Sequence, residues 1–270
     1  MASPTLFAVV GDALPKERRA LGFTLQAVLR RIPILIAPIA GGVVISKVGV
    51  VRGVQILCVV TFVLGALTLF VVGKVRIDKI VGAPTNVHGV WRAMPRNLRM
   101  LLLSDIFIRT CEGLVDEFVV IWAMSVKGLS APEYGTLIAV QVATSIAVYL
   151  PAAKIADRIG RKPVVIATFL CFSLFPVAVV AAPTFKTMLA AFVVGGLREI
   201  GEPARKALIV DLAQPVLRAR TVGLYYLIRS VAIAPAAFIG GLLWEVRPGV
   251  PFVTALVVGL VGTILFATRT

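Results

Sequence analysis

The chain has 270 residues, 59% of them hydrophobic and only 15% charged, and its mean hydropathy is +0.98. A soluble domain carries about 25% charged residues, so this much apolar surface cannot be hidden in a water-facing globule of this size and must meet lipid. A net charge of +15 would suit a nucleic-acid partner, but the basic residues form short clusters between long apolar stretches, which is membrane-protein patterning and excludes that class.

In chain order, residues 1–13 form an apolar half-span ending at Gly11-Asp12, with no basic leader and hence no signal-peptide pattern. Apolar stretches long enough to cross a bilayer follow at 22–46 and 51–73, then a basic linker at 74–97 containing Pro84, His88 and Pro95. Six more spans are expected at 98–124, 133–153, 163–182, 185–212, 220–245 and 250–268. The expected class is therefore an all-α integral membrane bundle with eight full spans. Pro33, Pro38, Pro176, Pro203 and Pro235 lie inside spans, where neighbouring helices can satisfy the freed carbonyls. Cys58, Cys111 and Cys171 stand singly inside apolar stretches with no metal-ligand spacing, and His88 is alone in a polar stretch. No metal, cofactor or disulfide is expected from them.

Orientation follows from lysine and arginine. Loops at 14–20, 74–97, 154–162 and 212–220, together with Arg99 just beyond the linker and the C-terminus, carry 16 of the 28 basic residues, and the alternate loops carry 5. The first set is expected on the cytoplasmic side. Residues 1–71 also resemble residues 200–270 at a fixed offset of 199 positions. Pro4 falls on Pro203, Asp12 on Asp211, Arg19 on Arg218, Arg30 on Arg229, and Gly41-Gly42 on Gly240-Gly241. Apolar letters match cheaply between two membrane helices; charged residues and a glycine pair in register do not, so an internal duplication is expected.

Residues 153–162 read Ala-Lys-Ile-Ala-Asp157-Arg158-Ile-Gly160-Arg161-Lys162. This resembles the signature GxxxD(R/K)xGR(R/K) of the major facilitator superfamily, which lies between the second and third helices of each half; here the leading glycine is alanine. The resemblance implies that 1–73 is a remnant of the N-terminal bundle (the end of helix 4, then helices 5 and 6), that 74–97 is the central cytoplasmic linker, and that 98–270 is the C-terminal six-helix bundle. It implies that the first three helices, needed for a complete transporter, are not in this chain. It also implies a gating role for the motif. Asp157 would face the start of the 22–46 helix, attracted by its dipole, and Arg161 would pair with Asp211, holding the two halves together. A plain positive-inside anchor would account for Arg158, Arg161 and Lys162 but not for Asp157 or Gly160.

Charges inside the spans carry the chemistry. Asp105, Arg109, Glu112 and Asp116 recur at helical spacing within a band of roughly 60°, with Glu117 adjacent. On the 185–212 helix, Arg198, Glu202 and Arg205 share a second band of roughly 60°, with Glu199 and Lys206 at its edge. Each charge costs about 2.5–3.5 kcal/mol at the bilayer centre, so these residues must face protein or water. The reading is a substrate and proton cavity, an acidic stripe opposite a basic one across a water-filled path. Structural ion pairing, Asp105 with Arg109 and Arg198 with Glu202, is the alternative. Arg30 and Arg229 either join the cavity or snorkel to the surface. Tyr149, Tyr225, Tyr226 and Gln141 are further cavity candidates. Function is expected to be proton-coupled secondary active transport of a small solute by alternating access in the cell membrane; the carboxylates favour cations or proton coupling and the arginines favour anions. A non-transporting scaffold or receptor on the same fold is the alternative, and nothing in the motifs points to an enzyme.

Overall fold

The computed structural model describes residues 14–15, 18–74 and 86–269. The half-span at 1–13, with Pro4 and Asp12 of the repeat, and residues 75–85 of the linker lie outside the described residues. Among the described residues the chain is helical and contains no strand, in agreement with the all-α membrane class. It divides into two units, one comprising Leu29–Ala83 and the other Met1–Val28 with Pro84–Thr270.

The smaller unit holds most of α1 (Arg19–Val48) and all of α2 (Val50–Gly73). The chain reverses between them at Gly49, whose φ of +82° suits glycine best. Val51–Val71 is strongly apolar and, apart from Gly53 near its start, almost wholly unburied, as expected for a surface made for lipid.

The larger unit opens with a short helix inside the linker, α3 (Val87–Ala93), capped by the Asn86 side chain on the Gly89 amide. Its last carbonyls are taken by Arg99, which donates to Trp91 and Arg92 at 2.8 and 3.0 Å. Then follow α4 (Arg96–Ile121), ending in one π turn at Trp122–Val126, α5 (Ala131–Ile159), α6 (Arg161–Ala181), α7 (Phe185–Leu197), α8 (Glu202–Leu212), α9 (Arg218–Ile233), α10 (Ala236–Val246) and α11 (Val250–Arg269). Helix α4 is central. It packs on α11, α10, α6 and α9, while α5 and α6 both pack on α7. One apolar cluster, around Leu98, Leu101, Phe169, Ala207 and Phe266, fills the end of the bundle nearest the α5–α6 connection. A second, around Leu114, Trp122, Phe175, Phe192 and Phe252, fills the other end.

Two expected spans are not continuous helices. The stretch 185–212 breaks into α7 and α8 at residues 198–201. Pro203 has no N–H to offer the carbonyl of Glu199, and the backbone tightens ahead of it. Glu199, Ile200 and Glu202 donate three residues back rather than four, at 3.1–3.3 Å. The Gly201 amide is taken by Thr168 Oγ1 at 2.5 Å. The stretch 220–245 likewise breaks into α9 and α10 at Ala234-Pro235. Pro176, by contrast, stays inside α6. Long apolar segments fit to cross a bilayer remain at Val51–Val71, Pro132–Ile159, Arg161–Ala181, Pro215–Val246 and Val250–Arg269. The expected 22–46, 98–124 and 185–212 spans are not among them; 98–124 carries too many charges, and 185–212 is both charged and broken at 198–201.

The repeated glycine pair is not equivalent within itself. A Cβ on Gly240 would run into the carbonyl oxygen of Leu114 on α4, whereas one on Gly241 would meet only Phe118 Cζ at 3.9 Å. Small residues of this kind let membrane helices touch backbone to backbone. Gly240→Ala should therefore lower the thermal midpoint in detergent by several degrees, since overpacking costs about 1–3 kcal/mol. Gly241→Ala should leave it unchanged or raise it, because alanine is the better helix former by about 1 kcal/mol. Equal effects of the two would refute this account of the α4–α10 contact.

Candidate functional site

The face of α4 that turns inward is spaced for packing: Leu98, Leu101, Leu102, Asp105, Ile108, Cys111, Leu114, Val115 and Val119 are all buried. Asp105 sits in that apolar series with its side chain fully enclosed. Its Oδ2 accepts from Arg205 on α8 at 2.5 Å, from the Tyr225 hydroxyl at 3.0 Å and from Arg229 at 3.2 Å, the last two on α9. One carboxylate therefore ties three helices together.

From Asp105 the pairing continues without interruption. Arg205 forks onto Glu202 through Nε at 3.2 Å and Nη2 at 2.7 Å. Glu202 accepts from Arg109 of α4, which also donates to Glu112 at 2.7 Å. Glu112 and Asp116 share Nη1 of Arg198, at 3.8 and 3.6 Å. The result is a file of alternating sign: Arg229, Asp105, Arg205, Glu202, Arg109, Glu112, Arg198, Asp116, with the expected pair of Asp105 and Arg109, at 3.9 Å, closing its buried part into a ring. Four arginines face four carboxylates, so the file is neutral. Phenylalanine rings support it, with Arg109 over Phe172 at 4.9 Å and Arg198 over Phe175 at 4.5 Å and Phe172 at 5.4 Å.

The file opens as it runs along α4. The Asp105 side chain is 0% exposed and that of Asp116 is 51%. Its contacts also lengthen, from hydrogen-bonded pairs at the closed end to the two long contacts of Arg198 at the open end. A cavity of about 220 Å³ lies there, lined by Asp116, Arg198, Tyr134, Gln141, Phe175 and Phe192 among others.

Several expectations need correcting. Arg198 does not pair with Glu202, because the break at 198–201 destroys the helical spacing that would have stacked them; Arg198 turns to Glu112 and Asp116 and Glu202 to Arg109 and Arg205. Arg198 and Glu199 lie in the turn, so the second band is not one helical stripe. The two stripes do not face each other across water over their whole length: around Asp105, Glu202 and Arg205 they bond directly in a buried seam. Glu199 accepts from the Tyr149 hydroxyl at 3.1 Å. Glu117 is exposed. Arg229 reaches the file and stacks on Tyr226 at 4.4 Å. Its repeat counterpart Arg30 is exposed on α1 and falls within the Leu29–Ala83 unit.

The motif at 154–162 is not a loop. Helix α5 runs to Ile159 and α6 starts at Arg161, with Gly160 alone between them at φ +88°. Asp157 and Arg158 close α5 and are exposed; Arg161 and Lys162 open α6. Arg161 pairs with Asp211 in the last turn of α8. Each of these charges sits at the end of its own helix where the dipole opposes it, so the pair relieves both. It joins α6 to α8 within one unit and does not bridge two halves.

Sequence reading missed the phenylalanine shelf and the lining residues Tyr134 and Phe192. An aromatic residue inside an apolar span carries no signal of its own, and only the neighbouring arginines on other helices give these rings a role.

An apolar exterior around an ion-paired interior defines a multi-pass membrane protein. The chain belongs to the Major Facilitator Superfamily, whose family model matches residues 101–270. It is similar to the uncharacterized MFS-type transporter YqjV of Bacillus subtilis (strain 168), 25% identical over 167 residues, which are 61% of this chain and 41% of that protein. It is also similar to the uncharacterized MFS-type transporter MJ1317 of Methanocaldococcus jannaschii, 25% identical over 117 residues, 43% of this chain and 29% of that protein. The matches cover less than half the length of each of these relatives.

The two ends of the file should respond differently to truncation. Asp105→Ala strands buried arginines and should cost about 3–5 kcal/mol, whereas Asp116→Ala should cost under about 1 kcal/mol, read by denaturant unfolding in micelles. Adding Arg205→Ala to Asp105→Ala should cost at least about 1 kcal/mol less than the two single losses summed. Strict additivity would show that the file is not a coupled unit.

Proposed function

We propose that this protein is a secondary active transporter of a small solute that works by alternating access and is coupled to protons. The observation that carries this reading is the neutral file of eight charges with one carboxylate open to a cavity. A scaffold needs no charge at bilayer depth, where each costs about 2.5–3.5 kcal/mol. A transporter needs groups that can change partner during the cycle.

Asp116 is the group that can change partner most cheaply. Protonating it gives up one 3.6 Å contact with Arg198. Protonating Asp105 or Glu202 would strand arginines that are buried against them. The closed end of the file therefore serves as a fixed strut between α4, α8 and α9, and the open end as the exchanging site. Arg205, Glu202, Arg109 and Arg229 belong to the strut on this reading, and Glu112, Arg198 and Asp116 to the site.

The membrane is the cell membrane on this reading, with the ends of the helices at 14–20, 74–97, 154–162 and 212–220 in the cytoplasm. Residues up to 73 belong to one bundle and residues 98–270 to a second, joined by 74–97. Arg161 with Asp211 stiffens the cytoplasmic end of the second bundle. Exposed Asp157 is the motif residue left to meet a neighbouring helix N-terminus as the cavity closes on that side. The breaks at 198–201 and 234–235 supply the bends that alternating access requires in helices bordering a site.

Uptake by the purified protein in liposomes, screened over small solutes with and without an imposed pH gradient, tests the reading. The gradient should accelerate uptake of the accepted solute. Asp116→Asn should abolish the gradient-driven component, because an amide cannot take up and release the coupled proton. Uptake of no solute under either condition would favour a non-transporting role. Full gradient dependence in Asp116→Asn would remove Asp116 from the coupling.

A further inference from the structure

We infer that the cavity at the open end of the file takes a small monovalent organic cation, an ammonium with one aromatic ring or a few short alkyl groups, paired with Asp116. This deepens the transporter reading, on which it rests, by assigning its substrate class.

Charge balance comes first. At the open end Asp116 and its neighbour Glu117 are both exposed, and Arg198 is the one basic residue among those that line the cavity. The mouth of the cavity thus sets two carboxylates against one guanidinium. In a medium of low dielectric an uncompensated charge is costly, and one monovalent cation restores neutrality. An anion would double the imbalance.

Access comes second. Asp116 and Arg198 both line the cavity, but the Asp116 side chain is 51% exposed and that of Arg198 only 8%. Arg198 is also committed elsewhere: its Nε donates to the Gly195 carbonyl at 3.1 Å, its plane lies over Phe175 at 4.5 Å, and Nη1 keeps Glu112 at 3.8 Å. When a ligand cation takes Asp116, Arg198 retains Glu112. If an anion were to take Arg198, Asp116 would lose its only ion-pair partner among the described residues.

The walls come third. Tyr134, Phe175 and Phe192 form one aromatic surface, with Phe192 edge-on to Tyr134 at 6.2 Å and to Phe175 at 5.7 Å. Aromatic faces attract cations, and quaternary ammonium groups are held in such settings. Arg198 occupies the face of Phe175 and Phe192 is fully buried behind it, which leaves the half-buried Tyr134 for the ligand. At about 220 Å³ the cavity is smaller than the roughly 300–1,000 Å³ that drug-sized ligands need, which limits the guest to a single ring or its equivalent.

The test is equilibrium binding of radiolabelled benzyltrimethylammonium to the purified protein in nanodiscs. Saturable binding is expected, weakened about tenfold or more by Asp116→Asn, the loss of an opposite charge where the dielectric is low, and weakened less by Asp116→Glu, which keeps the charge. Tyr134→Leu should weaken it too; Glu245→Gln, at the exposed end of α10, should not. Benzoate should not compete. Saturable benzoate binding that is lost in Arg198→Gln and kept in Asp116→Asn would overturn the assignment, as would benzyltrimethylammonium binding equal in wild type and Asp116→Asn. Gradient-driven uptake of some other solute, with benzyltrimethylammonium neither bound nor moved, sinks the cation assignment alone. Binding that depends on Asp116, with no uptake of any solute, keeps the site and sinks the transporter reading.

Discussion

A charge placed at the depth of a bilayer must be neutralised where it stands, because lipid offers neither water nor counter-ions. Everything about the larger unit follows from how that constraint is met. Four arginines and four carboxylates from α4, the 198–201 turn, α8 and α9 arrange themselves in one alternating file, so no charge faces an equal neighbour and the file as a whole is neutral. Replacing the file by apolar residues would give an equally stable bundle or a better one. What a polar seam supplies is a fixed placement of α4, α8 and α9 at one end and, at the other, a carboxylate open to a cavity.

The breaks in the helices serve the same constraint. If 185–212 were a single straight helix, Arg198, Glu202 and Arg205 would stack on one face and the nearest partner for each would be its own neighbour. Pro203 and Gly201 interrupt it, so that Arg198 turns toward Asp116 while Glu202 and Arg205 reach Arg109 and Asp105. The tightened turn leaves a backbone donor inside the bundle, and Thr168 of α6 accepts from it. Local backbone geometry thereby decides which carboxylate each arginine meets, and with it where the file ends and the cavity begins.

At the other end of the bundle the same family motif that identifies the chain is a piece of helix geometry. Gly160 is the one residue between α5 and α6, and its positive φ is the conformation that glycine adopts at no steric cost. The charges on either side are placed by that reversal. Arg161 is turned to Asp211 of α8, and Asp157 and Arg158 remain at the surface. The pair couples the end of the broken helix to the start of α6, so the bend at 198–201 is braced on both sides.

Composition and periodicity were enough for the membrane class and for most helical stretches, because bilayer thickness fixes the length of a span; the family came from the resemblance of the local Asp-Arg-x-Gly-Arg-Lys run to a known signature. They also located the charged residues, since a charge inside an apolar stretch is visible letter by letter. Partner choice was not legible. Arg198 with Asp116, Arg109 with Glu202 and Arg205 with Asp105 are contacts between residues 82 to 100 positions apart in sequence, and helical spacing can suggest only neighbours three or four positions away. The helix breaks were hidden as well: Pro176 and Pro203 look alike in sequence, yet only the second interrupts its helix, where an adjacent glycine and a hydroxyl on the next helix take up the backbone. Tertiary structure decided those points because ion pairing in a dry interior depends on which helices touch, and at what height, which no single helix encodes.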